Sequence, residues 1–161
     1  VGGLPYFQPP TSHLAVKDYE RYAFLMEIAV DDTRIKLPEV KAIQLYQDVD
    51  VGFGADPTPI VIPIPMDAQR YDQNSGIKTH HTIESAWAIR YEKRQEPELL
   101  PEGFERSEYF ASKLGGLDPW RIDDSPTSFL GHINEVPIDL CFGGFTAVLL
   151  NSNGGVIAEL V

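Results

Sequence analysis

The chain has 161 residues, 43% of them apolar and 11% aromatic, enough to fill the interior of one domain, which excludes a disordered chain. Thirteen Lys and Arg stand against 24 Asp and Glu, and this net charge of −11 speaks against nucleic acid and anionic lipid as partners and for a basic protein. The lone cysteine, Cys141, allows no intrachain disulfide and no cysteine-rich zinc site, and with no signal peptide or apolar run near the roughly 20 residues of a membrane span the expected setting is cytoplasmic.

Thirteen prolines and thirteen glycines punctuate short apolar runs, which predicts strands joined by turns, with helix confined to short pieces around Lys17–Tyr22 and Phe104–Phe110. Phe24, Met26, Ile28 and Val30 alternate with Leu25, Glu27 and Ala29, a period of two that predicts a strand ending at the Asp31-Asp32 turn. Ile43 and Leu45 read the same way. "DVDVGFGAD" spaces Asp48, Asp50 and Asp56 somewhat like a calcium loop, but Pro59 stands where the bidentate Glu belongs, so a turn between strands is expected. In "PTPIVIPIP" all four prolines share one parity and Ile60, Ile62 and Ile64 the other. The missing N–H donors of Pro63 and Pro65 then lie along one side, which predicts an edge strand.

From Thr79 to Glu92 the odd positions Ile83, Trp87, Ile89 and Tyr91 alternate with polar and small residues, which favours a strand over that span, although Ile83, Ala86 and Trp87 could also share a helical face. His80 and His81 are adjacent, and neighbours on a strand point to opposite faces, so they do not form a metal pair. Glu96, Glu98, Glu102, Glu105 and Glu108 make the densest acidic run, a solvated face or a docking surface. At the end of the chain "TAVLL" and "GGVIAELV" flank "NSNGG", which predicts a hairpin.

The chain reads as one pattern written twice. Gly2-Gly3-Leu4 answers Gly115-Gly116-Leu117, Phe24-Leu25-x-x-Ile28 answers Phe129-Leu130-x-x-Ile133, "AIQLYQ" answers "TAVLLN", and "IVIPIP" answers "GVIAELV", with the offset shrinking from 113 to 105 to about 104 to about 96. The expected fold is therefore mainly β, of α+β type with few short helices. Two β units, residues 1–70 and 112–161 joined by 71–111, are expected to share one core in a single domain spanning 1–161. "RSEYFASKL" leads into the second copy whereas the first starts abruptly at Val1, so residues upstream of Val1 are expected.

"SKLGGLDPW" followed by "FLGHIN" resembles the Ser-Lys-x-Gly-Gly-x-Pro and Phe-Leu-x-Gln-Ile landmarks of the YwqG-like family of bacterial domains, with a first copy in "VGGLPYF" and "FLMEI". A more distant likeness is to the programmed cell death protein two family, whose zinc-binding cysteines have no counterpart here. The chain departs from the pattern at Asp118, which intrudes before Pro119, and at the usual Gln, which is Glu27 in the first copy and His132 in the second. The resemblance implies a duplicated β-rich fold without established catalysis, in the company of immunity or chaperone-like interaction proteins.

The candidate binding residues are Trp120 with Asp118 and Arg121 beside it, and the two landmark residues Glu27 and His132. In the plainer reading Trp87 and Trp120 are core anchors, His132 sits hydrogen-bonded in a strand, and Cys141, between Leu140 and Phe142, is packing. No serine elbow, phosphate loop or dinucleotide fingerprint occurs, and no metal or cofactor is expected. Two readings follow. One is a non-catalytic module that docks a basic protein through its acidic surface and an exposed strand edge; the other is an enzyme whose site spans the two copies, with His81 and His132 as acid-base groups.

Overall fold

The computed structural model of the chain describes residues 2–18, 20–30, 35, 37–48, 58–76, 78, 80–81, 86, 88–93, 112–115, 128–134, 146–152 and 155–161. They form a β-rich fold of two four-stranded sheets with one short α-helix and one 3-10 turn. The chain divides into two compact units, Val1–Ile89 and Arg90–Val161, each carrying one sheet.

The first unit holds α1 (Leu14–Lys17), β1 (Tyr22–Ala29), β2 (Val40–Asp48), β3 (Ile60–Pro65) and β4 (His80–His81). Its sheet has the order β3-β2-β1-β4; β1, β2 and β3 form an antiparallel meander, and β4 runs parallel to β1 at Ala23 and Phe24. A bulge interrupts the β1–β2 register between Phe24 and Met26. The extra residue shifts the parity of the strand. Phe24 therefore lies opposite Tyr46, while Met26 lies opposite Leu45 and Glu27 opposite Gln44.

This corrects the simple alternation expected for Phe24, Met26 and Ile28. Phe24 shares one face with Tyr22, Ala42, Tyr46, Ile62 and Ile64, which pack into one buried cluster with Ala15. Met26 and Ile28 lie with Ile43 and Leu45 on the other face, and these too are buried. Both faces are apolar, so periodicity alone hid the bulge. Each large side chain taken from water here stabilises the fold by about 1.5–3 kcal/mol, and Phe24 and Tyr46 add an edge-to-face ring contact at 5.6 Å.

The N-terminal residues lie as a strap along this sheet. Gly2 N–H donates to Leu25 O at 2.8 Å, Phe7 bridges Arg70, Gln8 N–H donates to Gln69 O and Tyr71 N–H to Tyr6 O. Two cations sit on its aromatic rings, Arg70 over Tyr6 and Lys41 over Phe7, each 4.8 Å from the ring centre.

The second unit holds β5 (Lys113–Leu114), β6 (Ser128–Asn134), β7 (Thr146–Ser152) and β8 (Gly155–Leu160), in the order β5-β6-β7-β8 with every pair antiparallel. β7 and β8 meet at Ser152 and Gly155, the hairpin expected around "NSNGG". Here again a bulge falls after the strand's phenylalanine, between Phe129 and Gly131. Gly115 N–H donates to Leu130 O at 2.7 Å, as Gly2 does to Leu25. Gly2 and Gly115 take φ of 69° and 72°, the left-handed region that a side chain disfavours. Phe24, Tyr46 and Ile60 form a row across the first sheet, and Phe129, Leu150 and Ile157 form the matching row in the second.

Among the described residues β3 is an edge strand paired with β2 alone, as the proline parity predicts. Two expectations need correction. The helix expected over Lys17–Tyr22 lies earlier, at Leu14–Lys17, because the core takes Tyr22 into β1, where its ring is buried. Of the strand expected over Thr79–Glu92, His80 and His81 pair among the described residues, residues 88–93 are irregular, and Tyr91 is exposed. Phe104–Phe110, the acidic run, Trp87 and Cys141 lie outside the described residues.

Candidate functional site: a polar row beneath the N-terminal strap

Three polar side chains, Glu27, Gln44 and Tyr46, converge at the middle of the first sheet. The bulge in β1 places Glu27 directly opposite Gln44 of β2, and Tyr46, two residues on, projects from the same face. Gln44 and Tyr46 are fully buried and Glu27 is half-buried.

Glu27 Oε2 accepts hydrogen bonds from Phe7 N–H at 3.1 Å and Gln44 Nε2 at 2.7 Å. Gln44 Nε2 also donates to Phe7 O at 2.8 Å, and Tyr46 OH donates to Gln44 Oε1 at 3.0 Å. Both amide donors of Gln44 and its carbonyl are thus engaged within the protein. Burial raises the Tyr46 pKa well above the ordinary phenol range, and the negative charge of Glu27 adds to the effect. The phenol therefore stays neutral and keeps its proton on Gln44. Chemically the row works as a fastening: it satisfies the backbone of Phe7 in a buried setting, where an unpaired amide costs about 1–3 kcal/mol, and so holds the strap to the sheet.

Beyond the strap, Gln8, Pro10, Pro65, Asp67, Ala68 and Gln69 line a shallow depression of about 290 Å³, just below the usual size of a small-molecule pocket. Its lining offers two side-chain amides and one carboxylate, and no Lys, Arg or His. Among the described residues no three His, Cys, Asp or Glu side chains gather as metal ligands, and no helix is long and apolar enough to cross a membrane.

Of the residues singled out from sequence, Glu27 is the acceptor at the centre of this row. His132 occupies the corresponding place in the second sheet, opposite Val148 of β7 and Lys113 of β5. Its ring is completely buried, 6.3 Å from that of Phe129. The Lys113 ammonium lies 5.4 Å over the Phe129 ring. Glu27 and His132 belong to different units. The main chain of His81 pairs in β4, while Trp120, Asp118 and Arg121 lie outside the described residues. Sequence reasoning missed Gln44 and Tyr46. The available signal was Gln44 itself, one amide inside the apolar run "AIQLY", since a polar residue at the centre of a buried strand needs internal partners. No family model, no curated protein and no solved structure matches the chain.

Proposed function

We propose that the chain is a non-catalytic, cytoplasmic protein-interaction module that binds a basic protein, of the immunity or chaperone-like type implied by its resemblance to the YwqG-like family. The observation that carries this reading is the closed hydrogen-bond circuit of Glu27, Gln44, Tyr46 and the Phe7 backbone, whose polar groups are engaged by one another. The net charge of −11 supplies the long-range attraction for a cationic partner. The matched bulges, the matched glycine-to-leucine hydrogen bonds and the common strand rows support reading the chain as two copies of one β unit.

The test is affinity capture with the immobilised chain at low salt, with an unrelated protein of equal charge as control. A basic protein retained by the chain alone, and released near about half-molar salt where screening is short-ranged, is the expected result. Equal retention on both columns, or no retention on either, overturns the reading.

A further inference from the structure

Among the described residues each sheet is bounded by two strands paired on one side, β3 and β4 in the first and β5 and β8 in the second; β4 and β5 are two residues long, and the longer edges of β3 and β8 differ in chemistry. In an antiparallel ladder, successive residues turn their N–H and C=O alternately toward and away from the neighbour. Met66 N–H donates to Glu39 O, so the even positions of β3 face β2 and the odd positions face outward. The outward positions are Val61, Pro63 and Pro65, which leaves one N–H donor along that edge. This is the proline protection by which natural edge strands refuse a further strand. The exposed edge expected to dock a partner is therefore not suited to strand addition at β3.

β8 has no such protection. Thr146 and Val161 exchange both backbone hydrogen bonds, and the alternation from that pair makes Val148–Glu159 and Leu150–Ile157 the inward pairs. Val156, Ala158 and Leu160 then present three donors and three acceptors outward. The side chains on this strand favour an occupant of particular character. Val156 is buried and shares its face with Ala158 and Leu160, while Ile157, 39% exposed, and Glu159 share the other.

We propose that the outer edge of β8 is the docking line of this protein and takes an extended, cationic segment of a partner as an added antiparallel strand. The proposal rests on the interaction-module reading and narrows it to one strand and one chemistry. Charge selects the occupant: residues 90–161 contain twelve Asp and Glu against six Lys and Arg, so a basic strand is attracted, and a second copy of the chain, also at −11, is repelled. Cross-strand neighbours select its pattern. A Lys or Arg belongs opposite Glu159, an apolar residue opposite Ile157, and β-branched residues opposite Val156, Ala158 and Leu160.

The peptide Lys-Val-Lys-Val-Ile-Val-Lys meets these demands in antiparallel register. Its three valines supply the groups that face β8, and N-methylation of those valines removes the donors while keeping charge and apolar surface. The measurement is amide hydrogen exchange of the full chain by NMR at low salt. In the free protein the amides of Val156, Ala158 and Leu160 exchange fast, with Ile157 and Glu159 protected by β7. The unmodified peptide, at ten times its Kd, slows the three outward amides about ten-fold. The N-methylated peptide leaves them unchanged, and Ala158→Pro, which copies the protection of β3, abolishes the slowing. Equal slowing by both peptides, no slowing by either, or protection that grows with protein concentration in the absence of peptide would each overturn the proposal. Should the edge fail while salt-sensitive capture of a basic protein persists, the interaction reading stands and the docking line lies elsewhere.

Discussion

The two sheets share a backbone plan and differ in what they hang on it. Each has a three-stranded meander whose first strand bulges after a phenylalanine and accepts a hydrogen bond from a left-handed glycine at the following leucine. Across the middle of the first sheet the row reads Glu27, Gln44, Ile62; across the second it reads His132, Val148, Glu159. The polar centre of the first is replaced by a buried imidazole and a valine in the second. The flanking strands differ too, parallel β4 touching only Ala23 and Phe24 in the first sheet, antiparallel β5 pressed against His132 and Gly131 in the second. The main-chain frame can thus be held constant while side chains are exchanged, and the chemistry of each sheet is set by the row it carries.

The sharpest contrast lies at the residue after the bulge, Met26 in one sheet and Gly131 in the other. A Cβ built on Gly131 would stand 2.4 Å from Lys113 O, far inside van der Waals contact, so β5 approaches as it does only because the side chain is absent. We expect Gly131→Ala to destabilise the protein by about 3 kcal/mol by pushing β5 off β6, as overpacking does. That is comparable with the loss of side chain in Met26→Ala, about 2–5 kcal/mol. Urea unfolding midpoints of the two variants check this, and a Gly131→Ala protein as stable as the parent would show that β5 does not bear on β6.

Next in size is Gln44→Val, which gives the first row the valine of the second. Glu27 keeps Phe7 N–H, but Phe7 O and the Tyr46 hydroxyl lose their partner in a buried setting, and we expect a loss of about 2 kcal/mol. The strap should also become accessible to protease near Tyr6. An unchanged midpoint and an unchanged cleavage pattern would mean that the row is ornament to the sheet rather than its fastening.

The smallest effect is a gain. Glu39 has φ of 69° in the turn closed by Val40 N–H to Leu37 O, with Pro38 before it, a geometry that asks for glycine at its third residue. Glu39→Gly should stabilise the first unit by about 0.5 kcal/mol, the relief of strain exceeding the entropy of the added glycine. The second sheet has no described equivalent, so a shift in the exchange rates of β6 and β7 amides on this substitution would contradict the separation of the two effects.

Much of the architecture was legible in sequence. Alternation located β2, proline parity placed β3 at an edge before any pairing was known, and Asn and Gly marked the β7–β8 hairpin. The bulges were not, because Phe24, Leu25 and Met26 are all apolar and a slip of one residue leaves the hydrophobic pattern unbroken. The span from Thr79 failed for a different reason: alternation reports the parity of apolar side chains but not a partner strand, and residues 88–93 are irregular. Glu27 stands out in sequence as a charge between Met26 and Ile28, whereas its role follows from Gln44, whose meaning depends on the register that only the folded sheet supplies.

The strap leads to a statement about the order of assembly. Tyr6, Phe7 and Gln8 precede Gln69, Arg70 and Tyr71, which they join, by more than sixty positions. Closing so long a loop is slow compared with zipping the adjacent β1–β2 and β2–β3 hairpins. The meander should therefore form while the strap is still loose, and the docking of the strap is the late event that seals one side of the unit.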